Sequence, residues 1–229
     1  MINIAALEKI RSNIRTAQSC SGYDQQPVQL IAVTKTHPFS TIQEAYAAGI
    51  LSIGENRIQE AVQKFESFEQ MPKITRRFIG HLQTNKVKKC IELFDTIDSV
   101  DSLKLIKKIS KCSLAVNKTT SVLLEVNTSG EINKYGFLPN HEDDMLRCFD
   151  EPSVKIEGLM TVGPLTTDQG KIRQAFKVLK ELQNKINSVF GFNQIKELSM
   201  GMSNDYQTAI EEGSTMVRVG RALFGERNT

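Results

Sequence analysis

At 229 residues, with 40% apolar and 24% charged side chains, the chain is long enough to bury a substantial core and falls within the range of one large α/β domain. A net charge of +3 is too small to argue for a nucleic-acid or membrane-surface partner, and no apolar stretch is long enough to span a bilayer. The N-terminus lacks the pattern of a signal peptide. The cysteines Cys20, Cys90, Cys112 and Cys148 are scattered without metal-ligand spacing, which the three histidines do not repair, so a cytoplasmic protein with reduced thiols is expected.

Ile4, Leu7, Ile10 and Ile14 recur every three or four residues and predict an opening amphipathic helix within residues 1–20. A loop over Ser21 to Gln29 leads to a strand at Leu30–Thr34. Ser40 and Gln43 then resemble a capping box, with Ile42, Ala45 and Tyr46 as the apolar helix face and Gly49 as its end. Ile50–Ile53 reads as a second strand, followed by Gly54-Glu55-Asn56 and a helical stripe of Ile58, Ala61, Val62, Phe65 and Phe68. Arg77–Ile79 is the third strand, with a helix to about Ile91 that carries Lys86, Lys88 and Lys89 on a solvated face. Phe94–Ile97 is the fourth, and Ser99 is placed to cap a helix with Leu103, Ile106 and Ile109 inward and Lys104, Lys107 and Lys108 outward.

Ser121–Val126 is the fifth strand, and the polar loop Asn127–Gly136 follows it. A helix over Glu142–Phe149 precedes a sixth strand at Lys155–Thr161. Thr167 then caps a long helix bearing Ile172, Phe176, Leu179, Leu182 and Ile186, and the last strands are Ile195–Leu198 and Thr215–Val219. Eight short strands alternating with helices in cycles of roughly 25 residues match a single (β/α)8 barrel spanning residues 1–229, with the first helix as an addition. No glycine-rich dinucleotide fingerprint follows the first strand, which disfavours an open doubly wound sheet.

Two stretches can carry chemistry. Lys35 follows the first strand at the edge where such barrels bind ligands, and an amine whose pKa is lowered there can condense with an aldehyde. A solvated lysine at a strand end is the plainer alternative. After the seventh strand comes Ser199 to Asp205, where Gly201 allows close backbone approach and Ser203 can bond an anion and cap the next helix. After the eighth comes Arg218-Val219-Gly220-Arg221. Each loop alone is explained by capping and a turn, but together they fall where barrels of this kind hold phosphate. An amine at one end and a phosphate cradle at the other suit pyridoxal 5′-phosphate.

Ala32-Val33-Thr34-Lys35-Thr36, Gly54-Glu55-Asn56, Phe78 to Lys86, Glu125-Val126-Asn127, Gly158-Leu159-Met160-Thr161 and Ser199 to Asp205 closely resemble the pyridoxal phosphate homeostasis protein family. So do Gly213-Ser214-Thr215 and Val217 to Gly225, and the match runs from the first strand to the last helix. The resemblance implies a TIM barrel like the N-terminal domain of alanine racemase, of the fold type III class, with the cofactor held covalently on Lys35 as an internal aldimine. It places Ser203 and Gly220 at the phosphate and Arg218 at or beside the pyridine nitrogen, where a guanidinium that keeps its proton makes the ring a weaker electron sink. Asn56, His81 and Met160 fall on motif positions near the pocket, with purely structural roles as the alternative. The family pattern has Thr or Ser where this chain has Arg221; the hydroxyl contact is lost there, and the backbone N–H or the guanidinium can stand in its place.

Racemases of the related fold set a tyrosine against the lysine. No C-terminal β-domain is expected here, and of Tyr23, Tyr46, Tyr135 and Tyr206 only Tyr135 is a plausible opponent of Lys35. The expectation is a non-catalytic cytoplasmic protein of pyridoxal phosphate homeostasis that stores the cofactor or hands it to apo-enzymes requiring it. It would be a monomer or weak dimer without membrane or nucleic-acid partners. The alternatives are a racemase of small amino acids and a phosphosugar-binding barrel.

Overall fold

The computed structural model of the protein describes residues 2–22, 27–191 and 194–225. Eight parallel strands close on themselves in sequence order, β1 pairing with both β2 and β8. They are β1 Gln29–Val33, β2 Ser52–Glu55, β3 Thr75–Phe78, β4 Thr96–Val100, β5 Thr120–Glu125, β6 Val154–Met160, β7 Glu197–Met202 and β8 Met216–Val219. Around them lie α1 Ile4–Cys20, α2 Phe39–Ala47, α3 Ile58–Lys64, α4 Val87–Leu93, α5 Leu103–Ala115, α6 Glu142–Arg147, α7 Gln169–Phe190, α8 Tyr206–Glu211 and α9 Arg221–Phe224. The fold is the expected (β/α)8 barrel. Among the described residues no helix is long and apolar enough to cross a membrane.

The strands predicted at Ile50, Phe94 and Ile195 begin two residues later than their apolar runs. In β2 the ladder continues through Gly54 and Glu55, because an interior strand can carry a glycine where neighbouring side chains fill its place; a Cβ on Gly54 would meet Ile79 at 2.8 Å and Ile31 at 3.3 Å. β4 likewise runs on through Asp98 and Ser99, both of which find polar partners inside the protein: Arg77 for Asp98, and the Gly80 carbonyl for Ser99. Ser99 is therefore a strand residue. The cap of α5 is Ser102, whose Oγ accepts from Leu105 N–H at 3.3 Å.

Other helix starts also differ from expectation. α2 begins at Phe39 behind Pro38, so Ser40 and Gln43 lie inside the helix and form no capping box. Asp168, one residue beyond Thr167, caps α7 by accepting from Gly170 and Lys171 N–H. α3 stops at Lys64, so Phe65 and Phe68 pack from the segment after it, and Val62 is exposed. On α1 the residues Leu7, Ile10 and Ile14 are buried as expected, but Ile4, in the first turn, is exposed.

Two apolar clusters fill the space between barrel and helices. One, around α4 to α7, spans Phe78, Phe94, Ile106, Phe176 and Leu179; the other joins α1, α2, α8 and α9 through Leu7, Ile10, Ile42, Ile210 and Leu223. Inside the barrel, Arg77 of β3 pairs with Asp98 of β4 at 3.1 Å and also bonds Ser52. An apolar layer of Ile31, Leu123, Met160 and Met216 also fills the interior.

Candidate functional site

Alternation along β1 decides what reaches the barrel mouth. Ile31 belongs to the interior layer; Val33 and Lys35 follow at a spacing of two and line one cavity of about 660 Å³. Met202, which ends β7, and Ser203, Asn204 and Asp205 after it line the same cavity, as do Arg218, Gly220 and Arg221 of β8 and its loop. Lys35 and the two predicted phosphate loops, more than 160 residues apart in the chain, thus meet in one place. Sequence reasoning did not assign His37, Lys134, Val162 to Thr167 or Gln169 to the site, and they line the wall as well, with Ile172 and Gly225.

The β7 loop is tightly wound. Gly201 has φ +91°, and a Cβ there would come within 2.6 Å of Ala209 Cβ and 2.8 Å of Tyr206 Cα. Asp205 Oδ1 closes the turn by accepting from Met202 N–H at 2.5 Å. Ser203 does not cap α8, whose cap position is Asp205; its Oγ instead accepts from Ala222 N–H at 3.2 Å, joining the β7 loop to the start of α9. That leaves the Ser203 hydroxyl proton available to an anion. Gly220 lies so close to β1 that a Cβ would stand 3.2 Å from the Val33 carbonyl oxygen.

Among the described residues the cavity wall carries Lys35, Lys134, Arg218 and Arg221 against the one carboxylate of Asp205, so its balance favours an anionic ligand. Arg218 is buried and fully engaged in orientation: Nη1 donates to the Ser199 carbonyl and hydroxyl and Nη2 to the Thr161 carbonyl, all at 2.7 Å. Burial lowers its pKa, while Asp98, Glu125 and Asp205 favour its charge. Burial pushes the Asp205 carboxyl up, opposed by the Met202 N–H and by Arg218. Glu125, at the end of β5, is pushed up to about 7 by burial and by Asp101, with Arg218 pulling the other way.

The remaining predicted residues lie elsewhere. Met160 is part of the interior apolar layer, and Asn56 directly follows β2, where its backbone approaches Gly80 so closely that a Cβ there would sit 2.2 Å from the Asn56 carbonyl oxygen. His81 is exposed, 3.1 Å from Asp101, and its ring stacks on Tyr135 with centroids 3.6 Å apart. That stack occupies Tyr135, which does not line the cavity with Lys35. Tyr206 accepts from Asn13 on α1 and Tyr46 donates to the Pro72 carbonyl; Tyr23 lies outside the described residues.

Residues 5–228 match the family described as alanine racemase, N-terminal domain. The pyridoxal phosphate homeostasis protein of Vibrio cholerae is 39% identical over 226 residues, covering 97% of this chain and 95% of that one. Among solved structures, PipY of Synechococcus elongatus with PLP bound superposes with a TM-score of 0.83 at 34% identity, over 96% of this chain and 99% of that one. An alanine racemase of Clostridium difficile shares the fold at 14% identity with a TM-score of 0.75, the barrel corresponding to 58% of that chain. A match of this extent along both whole chains, on a barrel whose mouth gathers a lysine and an anion-favouring wall, leads to one conclusion: the chain belongs to the pyridoxal phosphate homeostasis protein family.

Proposed function

We propose that the chain binds pyridoxal 5′-phosphate in the cavity at the barrel mouth, attached covalently through Lys35, and holds it for homeostasis without turning over a substrate. The observation that carries this reading is that Lys35 and the loops after β7 and β8 line one cavity. The residues present fit the cofactor. The volume of about 660 Å³ is within the range of small-molecule sites, the cations outnumber the carboxylate, and Ser203 offers a hydroxyl donor beside Gly220, where the backbone has no side chain to obstruct it. When bound, the cofactor supplies an aldehyde on which an amine can condense. In this reading Ser203, the Gly220 backbone and the Arg221 guanidinium would hold the phosphate, and Arg218, locked by Ser199 and Thr161, would stand at or beside the pyridine nitrogen, where a guanidinium that keeps its proton would not protonate it.

What supports a reading without turnover is that no tyrosine is among the described residues lining the cavity, where racemisation would need an acid/base group opposite Lys35. Storage or hand-over to apo-enzymes in the cytoplasm follows as the corresponding role, with Asn56, His81 and Met160 as supporting residues outside the contact set.

The test is spectroscopic. Purified protein mixed with the cofactor should develop a visible absorption band that borohydride bleaches, fixing the label on the peptide containing Lys35, and Lys35→Ala should lack both band and label. A label on another lysine would overturn the assignment. Incubation with each of the nineteen chiral amino acids should leave optical activity unchanged; rapid racemisation of any one would favour an enzyme of the racemase type.

A further inference from the structure

Thr34 and Thr36 flank Lys35, and neither the hydroxyl of the first nor the backbone of the second is held by the cavity. Thr34 Oγ1 donates to Glu55 Oε1 of β2 at 2.5 Å. Lys64, at the end of α3, donates from Nζ to Glu55 Oε1 at 2.6 Å, to the Thr34 carbonyl at 2.8 Å and to Glu60 Oε1 at 3.2 Å. Glu60 in turn accepts from the Thr36 N–H. Thr36 is a β-branched residue with φ +67°, a conformation that persists only where the surroundings impose it. The Lys64 and Glu55 side chains are 6% and 0% exposed, and Glu55 Oε2 is buried with no hydrogen-bond partner.

Apolar residues would bind α3 to the barrel at least as firmly as a buried ion pair with an unsatisfied oxygen. What apolar residues could not do is grip the carbonyl before Lys35 and the amide after it. We infer that Glu55, Glu60 and Lys64 form a positioning device for Lys35, fixing the backbone on both sides of it from outside the cavity. None of the three lines the cavity wall. The inference rests on the reading of Lys35 as the attachment point. In that reaction the neutral amine adds to the aldehyde carbon, one water leaves and a C=N bond forms, with no oxidant or reductant needed. A rate that depends on the angle and distance of approach is sensitive to small displacements of the amine.

The experiment measures, by stopped flow, how fast the visible band forms when pyridoxal 5′-phosphate is added. In parallel, calorimetry measures the binding of deoxypyridoxine 5′-phosphate, which has the ring and phosphate but no aldehyde. Glu60→Ala and Lys64→Met should slow the band by roughly tenfold to a hundredfold while leaving deoxypyridoxine phosphate affinity within about twofold. Glu60→Gln, which keeps an oxygen to accept the Thr36 N–H, should restore nearly the wild-type rate. Should Lys64→Met fail to fold, the Glu60 pair decides, since that side chain is 24% exposed. A normal rate in Glu60→Ala, or equal losses for both ligands, overturns the device while leaving the role of Lys35 standing. A wild-type chain that forms no band overturns both.

Discussion

Glu125 shows how a single side chain at the mouth carries a measurable signature. Burial holds its carboxyl up at about 7, Asp101 adding to the rise and Arg218 opposing it. The folded chain thus keeps a proton that the unfolded chain releases near the ordinary 4.5. The stability gained is full below that lower value and is lost as pH rises through the higher one. Glu125→Gln cannot titrate, so without cofactor it should be about 3 kcal/mol more stable than the wild type near pH 8 and within roughly 0.5 kcal/mol of it near pH 4. Urea midpoints at the two pH values check this; parallel shifts at both would contradict it. Nothing in the sequence around Glu125 signals the effect, because it arises from burial in the fold and from Asp101, in the loop after β4. Lys35, Ser203, Arg218, Gly220 and Arg221 were legible because each follows or ends a strand on the ligand-binding rim. Lys134 was not, being an ordinary loop polar residue until the fold sets it beside the others.

At the scale of elements, the loop after β7 depends on Gly201. Its left-handed φ and the crowding by Ala209 and Tyr206 leave no room for a side chain, so Gly201→Ala should destabilise the protein by about 3 kcal/mol. It should also weaken deoxypyridoxine phosphate binding more than it slows attachment at Lys35 in ligand-saturated protein. Calorimetry and the band rate separate the two effects. α1 supports the same region from below, through Asn13 to Tyr206 and the Asn3 N–H to the Leu223 carbonyl. Ile10 is 3% exposed, and Ile10→Ala should cost about 3 kcal/mol by thermal or urea unfolding. Strand number and helix faces could be read from apolar periodicity. Ends and caps could not, since an apolar run records burial and not the ladder. Phe94 is buried outside its strand, while Asp98 and Ser99 lie within it because their partners come from residues about twenty positions away.

Across the whole molecule the site is lopsided. Lys35, Gly220 and Arg221 rise from the sector packed by α1, α2, α8 and α9, whereas the His81–Tyr135 stack stands on the loops after β3 and β5, beside the sector packed by α4 to α7. A ligand gripped by β1, β7 and β8 should stabilise that first sector most, because binding energy reaches only the opening motions that release the ligand. Hydrogen exchange of the loaded protein should therefore slow in β1, α2, α8 and α9, with little change in α4 to α6. Uniform protection would indicate that the barrel opens only as a unit.

The pairing of β8 with β1 has a consequence for how copies of the chain can meet. A ring of strands presents no unpaired row of backbone donors and acceptors, so another sheet has nothing to extend. Any assembly of this protein, with itself or with another chain, has to be written in side chains on helices and loops. Its specificity would then be open to change by surface substitution without disturbing the hydrogen-bonded frame.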